Sequence, residues 1–171
     1  MQLFNTFKRI FRHRWVDNAD LRRALPADAL DRLKARVAAS ETRHSGEIRF
    51  CVEAGLPMGY LWRNASARER AVAMFGKLRI WDTAQNNGVL IYLLLAERRI
   101  ELVADRGINA HVDTAAWQSM VAHMSDAFKA GRFEDGLTQA LEEVSAVLVQ
   151  HFATQPETVD RNELPNTVDI R

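Results

Sequence analysis

The sequence predicts one α/β domain: a small mixed sheet, a βαβ unit plus an antiparallel hairpin, layered between α-helices. Three observations point there. Ile48, Phe50 and Val52 alternate with Glu47, Arg49, Cys51 and Glu53, the period of a strand with one apolar face. Val89 to Leu95 is an unbroken apolar run of strand length, suited to burial on both faces. Helical apolar spacing precedes, separates and follows these runs.

Taken in order, residues 1–25 form a basic amphipathic segment. Leu3, Phe4, Phe7, Ile10 and Phe11 recur at helical spacing, with Lys8, Arg9, Arg12 and Arg14 among or after them and no acid before Asp17. Two readings follow. The helix packs its Phe face on the domain, or it lies on anionic lipid or a partner protein through Phe4, Phe7, Lys8, Arg9, Phe11 and Arg12. The domain proper spans residues 26–152. Pro26 opens a helix with Leu30, Leu33 and Val37 inward. After the first strand, Leu56, Met58, Tyr60, Leu61 and Trp62 make an unusually apolar connection. It either folds onto the core or forms a binding lip through Tyr60 and Trp62.

Ser66 and Glu69 form a capping box for a helix from Ala67 to about Ile80, with Val72, Phe75 and Leu78 inward. The turn-rich WDTAQNNG leads into the central strand, and Ala96 to Arg99 turns into a hairpin partner from Ile100 to Asp105. The crossover between the first two strands makes them parallel. Two helices follow, separated by Gly131. Residues 153–171 are polar, contain Pro156 and Pro165, and read as a flexible tail.

Composition excludes several classes. A net charge of +1 gives no global field for nucleic acid. The single cysteine, Cys51, forms no disulfide within the chain. No apolar run is long enough to span a bilayer, and the charge-interrupted N-terminus is not a signal peptide. These features predict a cytoplasmic protein. Walker, dinucleotide and His-Glu-x-x-His motifs are missing, as are the familiar phosphatase motifs.

The hairpin brings the start of its first strand beside the end of its second. Oxygen donors therefore gather around Asp82, Asn86, Asn87 and Asp105, with Glu47 or Asp113 as additions. A calcium-like ion takes six to eight oxygens, and this set supplies part of such a shell. The plainer reading is that the acids and amides only shape turns. Arg106 and Thr83 at the same end are candidate phosphate or ligand contacts, although no nucleophile–base pair can be read there.

The stretch WDTAQNNGVLIYLLLAERRIELVADRGI, Trp81 to Ile108, resembles the central motif of the TPM domain family. The similarity extends upstream to Ser45-Gly46-Glu47-Ile48 and downstream through Phe128, Gly131, Arg132, Phe133 and Gly136. It is greatest to the short bacterial subgroup that carries only the domain. The resemblance implies a layered α/β fold and one of several roles: acid phosphatase activity, binding of Ca2+ or another divalent cation, or assistance to membrane complexes. Relatives of this subgroup are neighbours of LemA-type membrane proteins, which implies a membrane-associated protein as partner and a place peripheral to the inner membrane. With no nucleophile–base pair legible, the sequence favours a non-catalytic interaction module, with a metal-assisted hydrolase of phosphomonoesters as the alternative.

Overall fold

Helical periodicity in the first forty residues, two strand runs and a helical second half set the order of elements. The computed structural model describes residues 2–154, 164–165 and 167–171, with side chains from Thr6 onward. Among these lie α1 (Gln2–Trp15), α2 (Asn18–Ala24), α3 (Ala27–Glu41), β1 (Ile48–Glu53), α4 (Met58–Trp62), α5 (Ala67–Lys77) and β2 (Val89–Leu94). A 3-10 turn then leads to β3 (Arg99–Ala104), α6 (Arg106–Asn109), α7 (Thr114–Lys129), α8 (Phe133–Phe152) and β4 (Val168–Ile170).

The sheet order is β3-β2-β1-β4. β1 runs parallel to β2 with Ile48 opposite Val89, and β2 runs antiparallel to β3 with Val89 opposite Ala104. Strand alternation sends Phe50, Ile91 and Leu102 to one face, where they meet side chains of α2, α3, α7 and α8. Cys51, Leu90, Tyr92 and Val103 point the other way, against α4 and α5. Both sheet faces are therefore core.

That arrangement corrects the reading of β1 as a one-faced strand, since all six of its residues are buried. Its charges survive because each has a partner. Arg70 donates to Glu53 from Nε at 2.8 Å and from Nη2 at 2.5 Å, and the Tyr92 hydroxyl donates at 2.7 Å. Burial pushes the Tyr92 phenol up, as does the neighbouring carboxylate. Burial also pushes the Cys51 thiol up to about 12, which holds it in the unreactive protonated form.

Three further elements depart from the sequence reading. Helix α5 turns Ala67, Ala71 and Met74 inward and leaves Val72 exposed, because small side chains let the helix lie close on the sheet. Phe75 and Leu78 are only partly buried. Helix α2 was not anticipated. Asp17 caps it, Asp20 closes the capping box, and Leu21 and Leu25 enter the main core, so the domain begins before residue 26. In the expected tail, β4 pairs parallel with β1, placing Phe50 opposite Val168. Arg49 holds Asp169 there through Nε at 3.0 Å and Nη2 at 2.9 Å. The Arg171 N–H donates to Val52 O at 3.0 Å.

Helix α1 turns Arg9, Ile10 and His13 inward and its Phe7, Phe11 and Trp15 side outward, which reverses the packing reading. Arg9 Nε donates to Glu97 Oε1 at 2.8 Å and its Nη2 to Ala65 O at 2.8 Å. The buried His13 lies between Leu56 and Glu97. Its Nδ1 accepts from the Leu56 N–H at 3.0 Å, so Nε2 carries the proton and donates to Glu97 at 2.9 Å. Hydrogen bonds from His13, and then the Arg9 guanidinium, hold the Glu97 carboxyl down at about 2. A depressed carboxyl stabilises the fold fully above its ordinary value of 4.5 and loses that contribution as pH falls toward about 2. Glu97→Gln should therefore lower unfolding stability at neutral pH by about 2 kcal/mol. In urea titrations, the gap from the native chain should close as pH drops through this window.

Candidate functional site

At one end of the sheet the hairpin delivers the convergence expected from the sequence. The Asp105 N–H donates to Gly88 O at 2.9 Å and the Gly107 N–H to Asn86 O at 3.0 Å, tying the entry of β2 to the exit of β3. Asn87 Nδ2 donates to Ser45 O at 3.0 Å, which brings in the lead to β1 and fixes the orientation of the amide. Asn86 has φ 51°, a left-handed conformation asparagine tolerates. Gly88 permits close approach, because a Cβ there would lie 2.1 Å from Ile80 O.

The candidate ligands divide once their partners are known. The Asp82 carboxylate is drawn outward by Arg79 Nη2 at 2.5 Å. Arg106 Nε donates to Asn86 Oδ1 at 3.0 Å, so that amide oxygen is already engaged. Thr83 is buried, and its Oγ1 accepts the Asn87 N–H at 3.1 Å, which makes it a loop brace. Asp113 caps α7 by accepting the Ala116 N–H at 2.7 Å. Asp105 spends one oxygen on the Arg106 N–H at 2.7 Å. Its other oxygen, Oδ2, and the Oδ1 of the buried Asn87 are shielded from water and accept no hydrogen bond.

Those two oxygens are what a hard cation would take, with backbone carbonyls and water completing a shell. Among the described residues no group of three His, Cys, Asp or Glu side chains forms a metal centre. Nearby, His44 is buried with Nδ1 on Gly46 O at 2.9 Å, and burial pushes its ring down to about 4.

A second surface lies where α1 meets α4. Phe7, Phe11 and Trp15 stand 59%, 62% and 72% exposed along one side of α1. The Phe11 and Trp15 rings lie 4.9 Å apart. On α4, Trp62 is 64% exposed and Met58 is also open, while Leu61 is buried. Lys8, Arg12 and Arg14 are exposed on the same helix as the aromatic ridge. Arg9 is not available to a partner, being fixed to Glu97, and Tyr60 is half-buried beneath the Arg63 and Arg70 guanidinium groups. The Phe4 side chain lies outside the described residues. Trp15 was not singled out from the sequence, although it continues the four-residue spacing of Phe7 and Phe11.

A mixed sheet covered by helices on both faces, with a polar turn cluster at one end of its hairpin, defines a layered α/β domain of the TPM type. The chain belongs to the TPM domain family, whose model matches residues 18–147. A similar solved structure is the NMR structure of BA42 protein from the psychrophilic bacterium Bizionia argentinensis. The two are 28% identical with a TM-score of 0.74, over 86% of this chain and 95% of that one. A second is the N-terminal domain of a P. gingivalis protein, 18% identical with a TM-score of 0.61, over 77% of this chain and 82% of that one. It shares the fold. No curated protein matches the chain.

Replacing Gly88 by alanine should cost about 1–3 kcal/mol, because the Ile80 carbonyl already occupies the space a Cβ needs. A urea midpoint unchanged from the native chain would show that the loop is not seated as described.

Proposed function

We propose that this TPM domain is a non-catalytic docking module that sits at a membrane surface beside a membrane-associated protein or complex. The observation that supports it is the reversal of α1. Arg9 and His13 clamp the helix to the domain through Glu97, so Phe7, Phe11 and Trp15 are held facing water. An aromatic ridge costs solubility unless something covers it. Exposed cations alongside it suit an anionic lipid surface. Among the described residues no helix is long and apolar enough to cross a membrane. The attachment proposed is peripheral, on the cytoplasmic side of the inner membrane.

Deleting α1 would remove the Glu97 clamp as well as the ridge, so point substitutions are the cleaner test. The native chain should pellet with vesicles containing phosphatidylglycerol and stay in solution with purely zwitterionic ones. Triple replacement of Phe7, Phe11 and Trp15 by serine should abolish pelleting with thermal stability unchanged, because all three side chains are exposed. Equal pelleting of the two proteins would refute the membrane assignment.

A second reading rests on the two unpartnered oxygens, Asn87 Oδ1 and Asp105 Oδ2. Here Ca2+ or another divalent cation braces the turn cluster. A metal-assisted hydrolase of phosphomonoesters would need that ion to supply an activated water, with Arg106 beside it to meet phosphate. Calcium at about 100 times its dissociation constant should add about 2.7 kcal/mol to folding. Thermal unfolding should register the gain, and Asp105→Asn should remove it. No shift with calcium, magnesium, manganese or zinc would eliminate both the brace and the hydrolase.

A further inference from the structure

The two edges of the sheet are finished differently. Beside β1 the edge is occupied by β4. Beside β3 no further strand is paired among the described residues. The ladder fixes which backbone groups point outward. The Asp105 N–H reaches Gly88 O across the hairpin, so by alternation residues 99, 101 and 103 also face β2. The N–H and C=O of Ile100, Leu102 and Ala104 then face away from the sheet.

This edge opens into a cleft of about 690 Å3 between β3 and α7. Leu102, Ala104, Val112, Trp117 and Val121 supply its apolar lining, and Arg68 of α5 closes the opposite side with Arg99. Two of the outward carbonyls are covered only by side chains. Arg68 Nη1 donates to Leu102 O, and Asn109 Nδ2 donates to Ala104 O at 2.8 Å. Asn109 is itself positioned by the Trp117 indole N–H at 3.2 Å. β3 has neither proline nor a bulge to blunt it, two of the devices that protect an exposed edge.

We propose that this cleft binds an extended peptide segment of another protein by adding it as a fifth strand beside β3. Main-chain hydrogen bonds to Ile100, Leu102 and Ala104 give the affinity, and alternate side chains give the selectivity. One set enters the apolar wall around Val112, Trp117 and Val121. The other set faces α5. When a peptide N–H takes the Leu102 carbonyl, the Arg68 guanidinium is released at the mouth of the cleft, where it is open to a charged partner. An acidic side chain supplies that partner. Arg99 faces the same side but is already paired with Glu101 at 2.9 Å. The preferred segment therefore alternates apolar and acidic residues. This site is separate from the α1–α4 ridge, and neither proposal depends on the other.

The probe is a capped peptide of alternating valine and glutamate, titrated into the isotope-labelled full chain and followed by amide chemical shifts. Saturable shifts are expected at Ile100, Leu102, Ala104 and the Trp117 indole. Ala104→Pro removes an outward N–H and no ladder bond, and should weaken binding by about tenfold or more. Arg68→Glu should exchange the preference, rejecting the glutamate peptide and accepting one of alternating valine and lysine. That exchange keeps the test decisive should the proline variant fold poorly. Shifts missing from β3 at millimolar peptide, or an unaltered preference in Arg68→Glu, would overturn the proposal. So would a concentration-dependent dimer abolished by Ala104→Pro, which would assign the edge to a second copy of the chain.

Discussion

Burial of the sheet on both faces is the constraint from which most of the molecule follows. A strand covered on one side can leave every second residue in water, whereas β1 cannot. Its Arg49 and Glu53 had to find Asp169 and Arg70, and those pairings in turn position β4 and α5. An unpaired charge at either place would carry a desolvation penalty of several kcal/mol. The second layer, α4 and α5, is thinner than the first and relies on alanines for close approach. It leaves the flank on which α1 is mounted.

The α1 clamp shows how a few polar contacts can decide the exposure of an aromatic ridge. Judged by hydrophobicity alone, the Phe side of α1 should turn inward. Glu97 overrides that preference, because it sits at the hairpin turn with low exposure and takes hydrogen bonds from both Arg9 and His13. Turning the helix over would leave Glu97 in a poorly solvated place without its partners and would strip the Leu56 N–H of its acceptor. A ridge that a monomer would ordinarily bury is held outward as a result.

Local pattern made much of this legible in advance. The β2 run, the β1–β2 crossover, the hairpin, the Ser66 cap and the helices either side of Gly131 follow from periodicity and turn chemistry over short windows. What could not be read depended on distant partners. The β1 alternation looked half-solvated because Asp169 lies 120 residues from Arg49 and Arg70 lies 17 residues from Glu53. Val168–Ile170 is too short to announce itself as a strand without β1 beside it. Asp17 and Asp20 cap α2 with aspartates where the familiar box has Ser or Thr and then Glu or Gln. At the turn cluster, topology correctly gathered Asn86, Asn87 and Asp105. It placed Arg106 at the same end, but could not foresee that Arg79 would engage Asp82 or that Arg106 would take the Asn86 amide oxygen.

Cys51 has a consequence of another kind. It is the sole thiol of the chain, fully buried under α5 in the strand that joins β2 to β4. With its pKa pushed up to about 12, it reacts with a disulfide reagent only after the second layer lifts or the sheet parts. The rate of that reaction, followed under native conditions, clocks how often the centre of the molecule opens. Loosening α1 would leave the rate alone unless the disturbance travelled inward to the strands. The chain thus carries a built-in chronometer that separates events at its rim from events at its heart.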